Sequence, residues 1–190
     1  MLTRILILCL VFFPGRLLAL QIEGVELPSQ VTLLDPNDQI SLNGAGVRTK
    51  FVFNIYVGAL YLKKKSDKVD AILKMPGQKR IAMHFLYEEV AKEKLVDGWI
   101  DGFKNNNNAE TFKALQERLN QFNKLFVTMK KGDVIYLDYL PGIGTEVRFN
   151  DDLKGMIPGE DFFQALLKVW LGENPADDSL KRGMLGLDGE

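Results

Sequence analysis

The sequence has almost no cysteine or histidine: among 190 residues there is one of each, Cys9 and His84. Zinc–thiolate sites and Cys–His nucleophile pairs need more of these residues than the chain supplies. Cys9 lies in an N-terminal apolar run and lacks the preceding small residue of a lipoprotein signal. We therefore predict no disulfide, no metal site and no cofactor, and we interpret His84 as a hydrogen-bonded or surface residue.

The chain also has no excess of basic or of acidic residues. The chain has 24 basic and 25 acidic residues, well mixed, and a formal net charge of -1. Nucleic-acid binding needs a basic face, which this balance does not supply. Hydrophobic residues make up 46% of the chain, with no linker and no internal repeat. We therefore predict one compact, monomeric domain that does not bind nucleic acid.

Residues 1–19 differ in composition from the rest. Arg4 forms a short basic head, an apolar run occupies residues 5–13, and a Pro–Gly pair ends it. This is the layout of a secretory signal peptide, and the run is too short to span a bilayer of ~30 Å. We predict cleavage after Ala19, a mature domain over residues 20–190 and a periplasmic or secreted location; a retained anchor is the alternative.

Removal of this segment leaves a chain without an apolar run long enough to span a membrane. Two arginines leave with it, so 22 basic and 25 acidic residues remain and the net charge becomes -3. We therefore predict no transmembrane span after cleavage.

The spacing of apolar residues predicts the fold class. Alternation and turn residues predict strands at 31–34, 40–42, 51–62, 79–86, 133–140 and 145–149. Helical spacing predicts helices around 96–103, 112–126, 160–171 and 175–184. Strands in two clusters, with helices between and after them, indicate an α+β fold: an antiparallel sheet with a layer of helices packed on one face. The pattern leaves the strand order open.

Local signals predict several turns and helix ends. Two glycine pairs, at residues 44–46 and 142–144, are typical of tight turns, because neither lies at a strand-to-helix junction that would form a phosphate loop. Asn107 and Asn174 are the predicted N-caps of the second and last helices, and Gly172 ends the helix between them.

Residues 44–62, GAGVRTKFVFNIYVGALYL, carry the most specific functional signal. Arg48 lies in a glycine-bearing bend, and an apolar strand follows from Phe51. A guanidinium group is always charged and matches a carboxylate or a polarised carbonyl. Asn54 and Tyr56 alternate onto the mixed face of the strand, which can line a cleft. We predict a ligand-binding site of Arg48, Tyr56 and Asn54; a structural salt bridge of Arg48 is the alternative.

One distance constrains this site. On a single straight strand, Arg48 and Tyr56 would be separated by ~26 Å at ~3.3 Å per residue. They could not then bind the same carboxylate. We therefore expect a bend or bulge within residues 48–51, unless the assignment of the tyrosine is wrong.

Four stretches in order resemble the chalcone isomerase family, in its bacterial secreted chalcone isomerase-like branch. They are the strand motif at 44–62, WIDGF at 99–103, GDVIYLDYLPGIGTEVRF at 132–149 and the C-terminal helices at 161–186. The likeness covers roughly residues 25–186. It implies a ligand cleft between an antiparallel sheet and a helical layer.

The resemblance also implies roles for individual residues. Plant members cyclise chalcones by intramolecular oxa-Michael addition, and related plastid members bind fatty acids without catalysis. Arg48 matches the family arginine that meets the substrate oxygen or fatty-acid carboxylate, and Tyr56 falls where the fatty-acid binders have a tyrosine. The enzymes' second tyrosine has no counterpart around residues 91–94, and their asparagine and late threonine fall near Gly98 and Val169. We therefore predict no catalytic residue.

Three functions follow as hypotheses. The leading one is a periplasmic, non-catalytic protein that binds a small apolar carboxylate, such as a fatty acid, through Arg48. The second is an isomerase or intramolecular lyase that acts on an unsaturated, chalcone-like carbonyl compound. The third is an envelope interaction protein with a vestigial cleft, which a cleft too narrow for any ligand beside an exposed apolar patch would favour.

Overall fold

The computed structural model describes residues 19–187. The strands are β1 (Leu20–Ile22), β2 (Val25–Leu27), β3 (Gln30–Thr32), β4 (Gln39–Lys50), β5 (Phe53–Leu62), β6 (Lys79–Phe85), β7 (Glu89–Val90), β8 (Met129–Lys130), β9 (Val134–Leu140), β10 (Gly144–Phe149) and β11 (Asp152–Ile157). The helices are α1 (Val69–Lys74), α2 (Lys92–Asn106), α3 (Ala109–Leu125), α4 (Glu160–Leu171) and α5 (Asp178–Met184).

The predicted signal peptide lies almost wholly outside the described residues. Its first 18 residues are not covered, and neither are residues 188–190. Within residues 19–187, no helix combines the length and the apolar character needed to cross a bilayer.

Seven strands form one sheet in the order β11-β10-β9-β6-β5-β4-β3. All neighbouring strands in it are antiparallel. The chain leaves the sheet after β6, forms α2 and α3, and returns as β9 beside β6. β1 and β2 form a separate two-stranded ribbon, as do β7 and β8. The predicted α+β class is confirmed, and the strand order is now defined.

The helices bury their apolar stripes against one face of this sheet. Leu95, Trp99 and Phe103 are spaced to share one side of α2, and all three are buried. α4 is the most apolar helix and contacts α1, α2, α5 and β10. It therefore forms the centre of the helical layer.

β5 is buried on both faces from Tyr56 onwards. Tyr56, Leu60 and Leu62 belong to the large core under the helices. The alternate residues, Val57 and Ala59 among them, belong to a second core on the other face, which contains Leu27 of β2 and Ile40 of β4. The face predicted to be mixed is thus the face towards the helices, where a ligand site can form.

The first predicted glycine turn is wrong. The glycines at residues 44 and 46 lie inside β4, which continues through them. They are needed there because α5 packs directly across the strand. A Cβ on Gly44 would overlap the carbonyl oxygen of Gly183 and lie 2.7 Å from the backbone nitrogen of Gly186. Only a residue without a side chain allows this approach of two backbones. The second glycine pair does form the β9–β10 hairpin turn.

Two predicted helix caps are displaced along the chain. Asn108 rather than Asn107 caps α3, since its side chain accepts a hydrogen bond from the backbone N–H three residues on, at 2.8 Å. Asp177 rather than Asn174 caps α5 in the same way, at 2.9 Å. The Asn174 amide donates instead to the backbone carbonyl of Asn105 at the end of α2, at 3.0 Å. That hydrogen bond joins the segment before α5 to the end of α2, a contact that residue spacing alone does not predict.

We predict that Gly44→Ala destabilises the protein by about 2–3 kcal/mol, because the added methyl group forces α5 away from β4. Gly98→Ala is the control: a Cβ there meets nothing within 4 Å. That change lies inside a helix and should stabilise by up to about 1 kcal/mol. Urea unfolding followed by circular dichroism measures both. Equal effects of the two substitutions would contradict the close α5–β4 packing.

Candidate functional site

The β4–β5 hairpin places Arg48 directly opposite Tyr56. The chain reverses at Phe51 and Val52, three residues after Arg48. The bend or bulge expected within residues 48–51 is therefore confirmed, with a register shift between Arg48 and Thr49 and the reversal that begins at Phe51. The glycine-bearing bend predicted around Arg48 is wrong, since β4 continues through those glycines, and β5 begins at Phe53 rather than at Phe51. Since opposed residues on neighbouring strands lie about 5 Å apart, the reversal removes the separation that a single strand would impose.

A small hollow lies where this hairpin meets α2, and we call it the Arg48 hollow. Its lining residues are Arg48, Tyr56, Met83, Lys94, Leu95, Gly98, Trp99, Val169 and Ala176. They come from β4, β5, β6, α2, α4 and the segment before α5. The volume is about 30 Å³. That is room for about two water molecules, since one needs about 10–15 Å³.

The floor of the hollow is a buried phenol. Tyr56 is 1% exposed, and its hydroxyl oxygen accepts a hydrogen bond of 2.9 Å from Nε1 of the fully buried Trp170. Burial raises the pKa of Tyr56, which the neighbouring Arg48 charge and hydrogen bonds from the side chains of Trp170 and Arg48 oppose. The phenol is therefore protonated at neutral pH. With Trp170 donating to its oxygen, the hydroxyl keeps its own proton to donate.

Arg48 stands beside this phenol without a carboxylate partner. Its guanidinium carbon lies 5.7 Å from the centre of the Tyr56 ring. Among residues 19–187, no Asp or Glu lies within ion-pair distance of it. The nearby Asp177 is engaged by backbone groups instead, accepting from the N–H of Thr49 at 3.1 Å and from that of Leu180 at 2.9 Å. The alternative of a structural salt bridge is thus absent from the described chain.

The third residue of the predicted site lies elsewhere. Asn54 is exposed near the end of the hairpin, and its Oδ1 accepts a hydrogen bond of 3.3 Å from the Thr49 hydroxyl. It is not among the residues that line the hollow. Asn54 does alternate with Tyr56 along β5. A register shift between Arg48 and Thr49 nevertheless places Asn54 opposite Thr49, towards the end of the hairpin.

The family resemblance indicated the α2 side of the hollow, because it sets residues 91–94, Gly98 and Val169 against the enzymes' site positions, and Lys94, Gly98 and Val169 all line the hollow. Lys94 is exposed there and adds a second cation, one turn before Gly98. The sequence did not assign Lys94 a role as a cation. Trp99 is 3% exposed, and its indole N–H has no hydrogen-bond partner among the described residues. Helical spacing marked Trp99 most simply as a core residue.

Several larger clefts among the described residues lie away from Arg48, two of them with volumes of about 560 Å³ or more. One, of about 560 Å³, is bordered by α1, the end of α2 and the end of α4. The other, of about 640 Å³, is bordered by β1, the glycines of β4 and the end of α5. Neither contains Arg48 or Tyr56. Cleft volume alone therefore does not identify the ligand site. Arg48, which has no carboxylate partner in the described chain, and the buried polar groups of Tyr56 and Trp99 identify it.

The arrangement can bind an oxygen anion or a polarised carbonyl. Arg48 and Lys94 supply positive charge, and the Tyr56 hydroxyl supplies a neutral donor at the floor. The remaining walls are apolar or lack a side chain. Such a set can hold an acid group or polarise a carbonyl oxygen.

Comparison with known proteins agrees with this architecture. The family model described as chalcone isomerase-like matches residues 19–186. The chain therefore belongs to the chalcone isomerase-like family. A search of curated proteins found no significant match.

A solved structure shares the fold. The crystal structure of the Arabidopsis thaliana fatty-acid binding protein AtFAP1 superposes with a TM-score of 0.71 over 88% of this chain and 96% of that chain. The two sequences are 15% identical, so the likeness shows the shared fold.

We predict that Tyr56→Phe destabilises the protein by about 1–3 kcal/mol, because it leaves the buried Trp170 N–H without a partner. In a Trp170→Phe background the same change should cost about 1 kcal/mol less, since no buried N–H remains. Urea unfolding of the four proteins gives this coupling. Tyr61→Phe, on the other face of β5 and also buried, is the control and should cost less. Additive effects at Tyr56 and Trp170 would contradict the hydrogen bond.

Proposed function

We propose that this protein binds a small apolar carboxylate, such as a fatty acid, and does not catalyse a reaction. The observation that carries the proposal is an unpaired guanidinium, that of Arg48, beside the buried hydroxyl of Tyr56. A carboxylate that accepts from both groups would gain a charge-assisted and a neutral hydrogen bond. Lys94 at the edge would add long-range attraction for the same anion.

The walls of the Arg48 hollow support an apolar ligand. Met83, Leu95 and Val169 present aliphatic or thioether surface there. The free indole N–H of Trp99 is a further donor in the same lining. Ligand sites commonly combine such apolar walls with a few converging polar groups.

Binding requires the hollow to open. Pockets for drug-sized ligands measure about 300–1,000 Å³, whereas the hollow measures about 30 Å³. The first half of α2 is the part that can move: its N-cap residue, Ala91, makes no side-chain capping bond, and Gly98 weakens the helix. Farther along, Gly102 packs against Val169 of α4 so closely that a Cβ would lie 2.7 Å from a Val169 methyl. We infer that a ligand opens the hollow by displacing the first half of α2 about Gly102. This displacement breaks the hydrogen bond from the Lys92 N–H to the Thr128 hydroxyl and shifts the buried Leu95 and Trp99.

The similarity to AtFAP1, which is named a fatty-acid binding protein, supports this ligand class. We further propose that the protein belongs to a secreted bacterial branch of the family. The layout of residues 1–19, with a basic head, an apolar run and Ala19 at the end, supports export to the periplasm.

Binding of oleic acid tests the role of Arg48. We predict that Arg48→Ala lowers the affinity for oleic acid by about ten- to hundredfold, because it removes a hydrogen bond to a charged group. Isothermal titration calorimetry measures this change. Lys50→Ala removes a cation from the same strand but outside the hollow, and should leave the affinity unchanged. Methyl oleate, which lacks the carboxylate, should not distinguish Arg48→Ala from the native chain. Equal binding of oleic acid by native and Arg48→Ala protein would overturn the proposal.

One observation favours a second candidate function, an envelope interaction protein with a vestigial cleft. The hollow is small, and the adjacent end of the hairpin exposes Phe51 and Val52. Native protein that binds no oleic acid, and carries no lipid detectable by mass spectrometry after gentle purification, would select this candidate. Cyclisation of a chalcone faster than in buffer, lost in Arg48→Ala, would instead select the isomerase; we expect no such acceleration.

A further inference from the structure

The turn between β4 and β5 exposes a cluster of apolar side chains that we call the hairpin tip: Phe51, Val52 and Phe53. Their exposed fractions are 89%, 84% and 50%. Tyr87, 36% exposed, packs edge-on against Phe53 with ring centres 5.4 Å apart. Single exposed apolar residues are ordinary, but three consecutive ones with an adjoining aromatic form a patch.

The backbone of the hairpin tip argues against chance exposure. Phe51 has φ +58°, in the left-handed region where a bulky side chain is disfavoured and glycine or asparagine is usual. In other turns of the described chain, Gly142 and Asn150 adopt positive φ, as does Glu23 between β1 and β2. Unlike Glu23, a phenylalanine here costs stability twice, through backbone strain and through the exposure of a large apolar side chain to water. Strained residues of this kind are concentrated at functional sites.

The charge around the hairpin tip indicates what that partner is. No acidic residue occurs between Asp38 and Asp67, so the whole β4–β5 hairpin carries only positive charge, with Arg48 and Lys50 at the tip end. The acidic residues near Tyr87 are balanced: Glu88 pairs with Lys131 at 3.7 Å, and Glu89 lies opposite Lys130. Asp177 also approaches the end of β4, where its two oxygens accept from the backbone N–H groups of Thr49 and Leu180. Exposed aromatic and aliphatic groups beside a local excess of cations are typical of segments that lie in the interface of anionic membranes.

We propose that the hairpin tip docks on an anionic phospholipid bilayer, with Phe51 and Val52 inserted at the boundary of headgroups and acyl chains. Arg48 lies three residues from the inserted turn, so docking would bring the β4–β5 end of the Arg48 hollow near the membrane. The docking goes beyond the proposed function, because it depends on the hairpin tip alone and not on the ligand.

Fluorescence quenching locates the contact. The two native tryptophans are buried, so Phe51→Trp adds a single exposed indole. Ile143→Trp is the matched control: Ile143 is 45% exposed in the β9–β10 turn. That turn lies at the opposite end of the strands, about 30 Å away for ten residues at ~3.3 Å each. Every variant is prepared as the chain from residue 20 onwards, because the apolar run of residues 5–13 would itself partition into vesicles. It is mixed with vesicles of brominated phosphatidylcholine and phosphatidylglycerol. We expect a blue shift and strong quenching for Phe51→Trp only; equal quenching of both variants, or of neither, overturns the proposal.

A second variant separates docking from folding. Phe51→Gly relieves the backbone conformation, so we expect an equal or higher midpoint of thermal unfolding. Its partitioning into the same vesicles should fall by about tenfold or more, the worth of burying one phenylalanine. Oleic acid binding in solution should not change, so failure of docking and failure of the proposed function give different results. Unchanged partitioning overturns the proposal, as does a dimer of the native chain by light scattering that Phe51→Gly dissociates.

Discussion

The antiparallel register between β4 and β5 is the constraint on which the site depends. It sets Arg48 against Tyr56 across one pair of strands. A slip of one residue would turn the phenol to the other face of the sheet, away from α2 and α4. The same register fixes the position of the turn, and so which aromatic residues are left in solvent.

Two buried contacts hold this hairpin against the helical layer. The Tyr56–Trp170 hydrogen bond joins β5 to α4 inside the large core. On the neighbouring strand, the glycines of β4 allow the backbone of α5 to approach directly, and Asp177 bridges the end of β4 to the start of α5. These contacts hold the floor of the Arg48 hollow in place.

The sequence predicted what depends on local pattern and missed what depends on packing between distant elements. Alternation and helical spacing predicted most strands, the helices α2 to α4 and the fold class, because burying one face imposes a period on the chain. The glycines of β4 were misread as a turn, since the helix that requires them follows more than 130 residues later. The residue pattern and the family resemblance both indicated Arg48 and Tyr56, whereas the charge of Lys94 and the free Trp99 N–H entered the site only with the packing of α2 beside the hairpin.

The central claim is that Arg48 and Tyr56 hold the acid group of a lipid in the hollow. Carbon-13 NMR of oleic acid labelled at its carboxyl carbon, bound to the native protein, tests this most directly. An adjacent guanidinium favours the carboxylate form, so the account predicts that the bound carboxyl group stays ionised to lower pH than that of oleic acid in vesicles. A bound carboxyl group that titrates at the same pH as in vesicles would contradict it.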